Sequence, residues 1–140
     1  MMPVTFTVVG NPATKGSARA VRNKRTGKAR LLASASAKNA RDQKAWATAV
    51  GWAARAAVRV PVKGPVMVKV LFRIATTDRQ RDGAHHAING RMDLDKLLRC
   101  TLDALTGIAF HDDGQIAQVI AAKRWTTREP GAEITIEGLS

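Results

Sequence analysis

The chain has 140 residues, with 23 Lys or Arg against 11 Asp or Glu, a formal net charge of +12 and an isoelectric point near 11.1. This length suits one domain with one hydrophobic core. The charge predicts a polyanionic partner, and nucleic acid is favoured over a membrane because no stretch approaches the roughly 18 apolar residues of a spanning helix. No positive segment precedes the first apolar run, so the beginning does not resemble a secretory signal. The single cysteine, Cys100, excludes an internal disulfide and suits a reducing cytoplasm.

The first predicted element is a strand at Val4–Val9, which ends at the turn signal Gly10-Asn11-Pro12. No acidic residue occurs before Asp42, and the basic stretch at about 13–34 is rich in Gly, Ser and Ala, which predicts a mobile loop rather than a regular element. Such a loop either stays solvated or binds DNA phosphates, and the overall charge favours phosphate contact. The basic residues expected to make this contact are Lys15, Arg19, Arg22, Lys24, Arg25, Lys28 and Arg30.

A helix is predicted next, from a cap at Ser34 or Ser36 to about Val58. Trp46 recurs with apolar residues at helical spacing, so we expect it in the core rather than in a base-stacking surface. Trp52 lies off that apolar stripe, and both roles stay open for it.

Three further strands and a second helix follow. Val66–Ile74 alternates between apolar and basic residues, which is typical of a strand with one buried face. A helix is predicted at Asp93–Thr106 with Gly107 as its terminator, and two strands at Ile116–Trp125 and Ala132–Glu137. The order β-α-β-α-β-β predicts a single α+β domain over residues 1–140, in which two main helices pack on a small mixed sheet.

The polar segment at 75–90 shows no periodicity and is predicted to be a long loop. It contains the adjacent pair His85-His86. Adjacent histidines point apart on most backbones, and no further residues nearby complete a zinc set. A solvated loop is therefore favoured over metal ligation for this pair.

Four aspartates, Asp93, Asp95, Asp112 and Asp113, are the strongest functional signal in this basic chain. Concentrated negative charge repels phosphate, so we explain it by a divalent cation held between the protein and nucleic acid. Carboxylate oxygens are ligands that Mg²⁺ prefers, and a bound metal polarises a phosphodiester and lowers the pKa of an attacking water. The alternative is structural: the first pair can favour a helix N-terminus and the second, followed by Gly114, can form a turn.

The spacing of the two acidic pairs restricts how they can meet. Asp93 and Asp95 converge on one ion only if the helix begins near Asp93, since residues two apart in a regular helix point about 200° apart. The predicted helix is ~21 Å long, so the second pair reaches the first only if the chain doubles back or if another subunit supplies it. Asp103 is expected to be a salt-bridge partner, with Arg99 in reach, or a buried hydrogen-bonding residue.

Three motifs in order resemble the RusA-type Holliday junction resolvases. They are Asp93-Leu94-Asp95-Lys96-Leu97-Leu98-Arg99, Asp103-Ala104-Leu105-Thr106-Gly107, and Asp112-Asp113 followed by Gln115-Ile116. The resemblance extends over nearly the whole chain through Gly10-Asn11-Pro12, Lys15-Gly16, Lys123 and Pro130-Gly131.

The resemblance implies a homodimeric, Mg²⁺-dependent endonuclease of α+β fold, with Mn²⁺ as a substitute metal. It would bind four-way DNA junctions and nick two strands symmetrically during recombination and repair, in the cytoplasm of a bacterium or a phage-infected cell. We expect a positive side chain next to the acids to offset the charge that develops on the phosphate. The site residues implied or expected are Asp93, Asp95 and Asp113 as catalytic acids and metal ligands, Asp112 as an assisting ligand, Arg99 or Lys96 as the positive group, and Lys96 and Lys123 as DNA contacts.

Two other functions stay open on the sequence. A non-catalytic basic protein for branched or single-stranded DNA fits the charge but leaves the acidic residues unexplained. A nuclease of replication forks or flaps fits both. A small-molecule enzyme is disfavoured, because the chain has no phosphate-cradling glycine loop and no nucleophile motif.

Overall fold

The computed structural model describes residues 2–16, 19–22, 24–32, 37–83, 85–88 and 92–140, with side chains described except at 19–22, 29–32 and 37. The cap predicted at Ser34 or Ser36 lies outside these residues. The elements are β1 (Val4–Val9), β2 (Arg19–Arg22), β3 (Ala29–Leu32), α1 (Ala37–Ala57), β4 (Val66–Ala75), α2 (Leu94–Leu105), a 3₁₀ turn (Asp113–Gln115), β5 (Ile116–Thr126) and β6 (Gly131–Gly138). Apart from β2 and β3, this is the predicted order, and the α+β fold is confirmed.

Four strands form a mixed sheet in the order β1-β6-β4-β5. β6 is antiparallel to both β1 and β4, whereas β5 is parallel to β4, with Val66 opposite Ile116 and Ile74 opposite Trp125. Parallel neighbours need a crossover connection, and α2 provides it. The helix therefore runs back along the sheet, from the end of β4 to the start of β5.

The hydrophobic core lies between the sheet and the two helices. Trp46 of α1 is 1% exposed, and its Nε1 donates to Thr101 Oγ1 of α2 at 3.0 Å. Burying the polar atom with a partner avoids the cost of an unsatisfied donor, so the prediction that Trp46 belongs to the core is confirmed. One face of β4 supplies the largest set of buried strand residues, each contributing about 1.5–3 kcal/mol by burial: Val66, Val68, Val70, Phe72 and Ile74.

The ends of α2 lie close to where the sequence predicts them. Asp93 immediately precedes the helix with extended backbone angles (φ −61°, ψ 134°). After Leu105 the chain turns at Gly107, whose φ of +86° lies in the left-handed region that favours glycine. The helix therefore begins directly after the first aspartate, as the convergence of Asp93 and Asp95 requires.

The basic stretch contains regular structure that the sequence did not predict. β2 pairs with β3 in an antiparallel two-stranded sheet, with Gly27 in the connection at φ +72°. Strand-favouring residues such as Val21 and Leu31 lie between the basic ones, a signal masked by the uniform charge. The prediction of a loop without elements is wrong for these two strands.

Within the described residues, no helix combines the length and the apolar character that crossing a membrane requires.

Candidate active site

The first acidic pair lies where α2 begins. The Asp93 carboxylate makes no capping hydrogen bond; it lies 3.4 Å from Lys96 Nζ instead. Asp95 is exposed in the first turn, and in the described part of the chain no hydrogen bond or ion pair engages its carboxylate. Capping therefore does not account for the Asp93 carboxylate, and no contact among the described residues accounts for that of Asp95.

The second acidic pair lies in the 3₁₀ turn before β5. Asp112 Oδ1 accepts a hydrogen bond from Gly114 N at 2.9 Å, and Gln115 Oε1 accepts one from Asp112 N at 2.9 Å. The Gln115 amide also donates to two backbone oxygens of the segment 62–64, each at 2.8 Å, which fixes the turn to the start of β4. The structural role proposed for this pair is thus real for Asp112, while the Asp113 carboxylate is left exposed on a rigid turn.

The two adjacent carboxylates perturb each other. The hydrogen bond with Asp112 raises the pKa of Asp113, and the negative charges of Asp112 and Asp103 raise it further. The pKa of Asp112 is lowered, mainly by the hydrogen bond from Gly114 N. Two carboxylates that share a proton repel each other once both are ionised, and a bound cation relieves that repulsion. The second pair is thus chemically suited to a hard divalent cation.

One chain does not bring the two pairs together. Lys123 Nζ donates to Met92 O at 2.6 Å, which places the start of α2 beside the far half of β5. The second pair directly precedes Ile116, at the beginning of that strand. Seven strand residues at ~3.3 Å each separate Ile116 from Lys123 by about 23 Å. Accordingly, no group of three or more His, Cys, Asp or Glu side chains among the described residues is placed to hold a metal ion.

The predicted DNA-contacting residues lie in several different environments. Lys15 forms an ion pair with Asp103 at 2.8 Å and its backbone N–H donates to Lys96 O, so it fastens the chain after β1 to α2. Asp103 thus forms a salt bridge, as the sequence predicts, but its partner is Lys15, which the helical spacing did not indicate. Lys123 is half-buried and positions the segment before Asp93. The exposed residues of the β2–β3 connection include Lys24, Arg25 and Lys28. The other three predicted residues lie in β2 and β3, where the structure describes only the backbone: Arg19, Arg22 and Arg30.

Arg99 and the lining of a cavity are close in sequence to the first acidic pair. Arg99 is exposed four residues after Asp95, on the same side of α2. The cavity, of about 630 Å³, is lined by Asn11, Asn39 and Met92 among other residues. Its position connects the Gly10-Asn11-Pro12 turn with the residue that immediately precedes Asp93.

Cys100 and the two adjacent histidines do not form a competing site with other residues in the described part of the chain. Burial raises the pKa of the Cys100 thiol, which disfavours the thiolate that nucleophilic catalysis needs. The side chains of His85 and His86 are exposed, while the backbone of this segment pairs with β5 through Trp125 N and His85 O. Gln115 was quoted only as part of a motif, and its role in fixing the turn was not predicted, although the spacing Asp112-x-x-Gln115 is a capping-box pattern.

Exposed carboxylates on a strongly basic α+β domain are typical of a metal-dependent enzyme that acts on nucleic acid. The model of the endodeoxyribonuclease RusA family matches residues 10–137 of 140, so the chain belongs to this family. It is therefore an endodeoxyribonuclease, a hydrolase of DNA phosphodiester bonds, from a family that resolves Holliday junctions, binds branched DNA and in general depends on a metal. This membership decides against the non-catalytic alternative. No curated protein matches the chain.

The repulsion within the second pair predicts a pH-dependent gain of stability in Asp113→Asn. A pKa that is raised in the folded state stabilises the fold below the unfolded pKa, and this contribution is lost as the pH rises through the folded pKa. We expect Asp113→Asn to have a higher Tm than the wild type at pH 7, with a difference that shrinks toward pH 4. Calorimetric Tm values across this range measure the effect. Glu129→Gln, which removes an exposed carboxylate from the turn before β6, should show no such trend.

Proposed function

We propose that this protein resolves four-way DNA junctions by paired symmetric nicks that require Mg²⁺, with Mn²⁺ as a substitute, in the cytoplasm of a bacterium or phage-infected cell. The observation that carries the proposal is the exposed carboxylate of Asp95, which no described residue engages, two residues after the non-capping carboxylate of Asp93. In a chain of net charge +12, acids in that position oppose phosphate binding unless they hold a cation.

The acids and their cationic neighbours divide the catalytic work. Asp93, Asp95 and Asp113 would hold the metal, with Asp112 supporting Asp113 from its capping position. When bound, Mg²⁺ polarises the scissile phosphodiester and lowers the pKa of a water that attacks it. The remaining task is to offset charge that develops on the phosphate, and Lys96 and Arg99, on the exposed side of the same helix, are placed for it.

Edge strand β5 supports the proposal that two chains form the enzyme. Loop residues pair with its far end: Ala87 N donates to Lys123 O and Trp125 N donates to His85 O. The beginning of the strand is exposed, including apolar side chains at Val119 (38%) and Ile120 (47%). A long, apolar edge is a ready template for pairing with another strand, and a second copy of this chain is the partner we propose.

Two-fold pairing of β5 with its own copy would complete the active site. Such pairing is antiparallel, so the Ile116 end of one strand meets the Lys123 end of the other. The second acidic pair precedes Ile116 and the first lies beside Lys123, so each partner would contribute Asp112 and Asp113 to the other chain's Asp93 and Asp95. We call this arrangement the composite site. Two composite sites related by two-fold symmetry also match the symmetry of a four-way junction.

A cleavage assay tests the proposed function. Purified protein is incubated with a labelled four-way junction, a fork, a flap and a linear duplex, each with Mg²⁺, with Mn²⁺ or with EDTA. We expect symmetric paired nicks in the junction with either metal and none in EDTA. Preferential cleavage of the fork or the flap would favour the alternative nuclease, and equal cleavage in EDTA would refute the metal requirement.

A further inference from the structure

The side of α1 that faces solvent carries three cations and a large aromatic residue. Arg41, Lys44, Trp52 and Arg55 are all exposed, with 70% of the Trp52 surface accessible. At 3.6 residues per turn their directions fall within about 80° of arc, opposite the buried side of the helix. We call these four residues the α1 stripe. The only acid in α1, Asp42, is paired with Lys38 outside the stripe.

The fold does not explain why Trp52 stands on this surface. Trp46 fills the core and satisfies its indole N–H within it, and Trp125 packs beneath an arginine at 5.6 Å. Trp52 has neither role. Exposing a large aromatic side chain to water is unfavourable. Such a residue indicates a binding surface when it lies in line with other side chains that suit the same partner.

The cations of the stripe identify the chemistry of its partner. Among the described residues, no ion pair or hydrogen bond engages the side chains of Arg41, Lys44 or Arg55. Three positive charges on the same side of α1 as an exposed indole complement an anionic partner that also offers flat aromatic surfaces. Nucleic acid meets both requirements, because its phosphates bind the cations and any unstacked base has a face for the indole.

We infer that the α1 stripe is a DNA-contacting surface in which Trp52 stacks on an unstacked base at the branch point while Arg41, Lys44 and Arg55 bind phosphates. The inference rests on the proposed junction substrate, because a branch point interrupts base stacking and a continuous duplex does not. The stripe would thus add selectivity for branched DNA, since only the cations can engage an intact duplex.

Binding titrations in EDTA test the stripe without cleavage. The probes are a four-way junction with 2-aminopurine at the branch point and a duplex of the same sequence, with light scattering of each variant as a check on assembly. We expect Trp52→Ala to weaken junction binding about 5- to 150-fold while duplex binding changes by less than about threefold. Trp52→Phe, which keeps an aromatic ring, should stay within about threefold of the wild type on both. Stacking should also quench the 2-aminopurine emission, and Trp52→Ala should abolish that quenching.

The salt dependence of DNA binding tests the basic residues of the α1 stripe. Arg55→Gln should reduce the slope of log affinity against log salt by about 0.9 on both DNAs, as expected for one lost phosphate contact. Lys69→Gln is the matched control, because Lys69 is exposed on β4 and points away from the core-facing side of the sheet. Its salt slope should equal that of the wild type.

Several outcomes would overturn the inference. Trp52→Ala binding the junction as tightly as the wild type would refute base stacking, while junction cleavage with Mg²⁺ would leave the proposed function standing. A smaller assembly in light scattering of Trp52→Ala would assign the stripe to a contact between copies. A wild-type protein that neither cuts junctions nor prefers them to duplex would refute the proposed function and this inference together.

Discussion

Asp95→Asn is expected to abolish junction cleavage while junction binding stays intact or becomes tighter. The amide keeps the shape of the side chain but loses the negative charge that holds a divalent cation. Metal assistance contributes several kcal/mol to the transition state, so the loss corresponds to roughly 10³-fold in rate at 1.36 kcal/mol per tenfold. Single-turnover cleavage of a labelled junction in Mg²⁺ measures the rate, and titration in EDTA measures the affinity.

The control must separate catalysis from the simple loss of one negative charge. Asp78→Asn removes an exposed carboxylate in a turn, where its partner is Arg81. We expect this variant to cut the junction at the wild-type rate. Asp95→Asn protein that cuts at the wild-type rate would refute the assignment of Asp95, whatever its affinity for DNA.

The main elements were predictable because their apolar residues repeat with the period of a strand or a helix. The alternation in β4 and the leucines of α2 left little freedom in where these elements begin and end. β2 and β3 were missed because pairing depends on a partner strand of only four residues, whereas the charge suggested a loop. Local composition describes such short elements poorly, since most of their stabilisation comes from cross-strand contacts.

The residues of the candidate site could be singled out from the sequence, whereas the distance between the two acidic pairs could not. The acidic residues stand out against the basic composition, and the extended backbone at Asp93 agrees with the expected start of α2. The positions of the two pairs relative to each other depend on the crossover topology, which places them at opposite ends of β5. The partner of Asp103 is likewise set by tertiary structure: Lys15 is 88 residues away in sequence. Trp52 could have been assigned to the exposed side by applying the helical period to α1.

Two inactive variants are expected to restore activity when they share one dimer, if the composite site is correct. A dimer of one Asp95→Asn chain and one Asp113→Asn chain has one site with both substitutions and one with neither. Each chain alone, or as its own homodimer, carries a substitution in every site. Heterodimers isolated with two different tags should therefore have one active site instead of two, and should nick one strand per junction. If each site were built from one chain, the heterodimer would be as inactive as its parents.

If the composite site is correct, the edge of β5 is needed for catalysis but not for the folding of one chain. Ile120 is 47% exposed in one chain, so Ile120→Lys can keep its new charge in solvent without disturbing the core, but it places two like charges at a two-fold contact. We expect this variant to be monomeric in light scattering and unable to cut junctions, while its circular dichroism spectrum stays that of the folded wild type. Its Tm should fall only by the contribution of dimer association. Thr7→Lys introduces the same charge at an exposed position of β1, the opposite edge of the sheet, and should remain dimeric and active. A monomeric Ile120→Lys protein that still cleaves would show that one chain holds all the essential carboxylates. The two acidic pairs would then have to approach each other within that chain, despite their separation along β5.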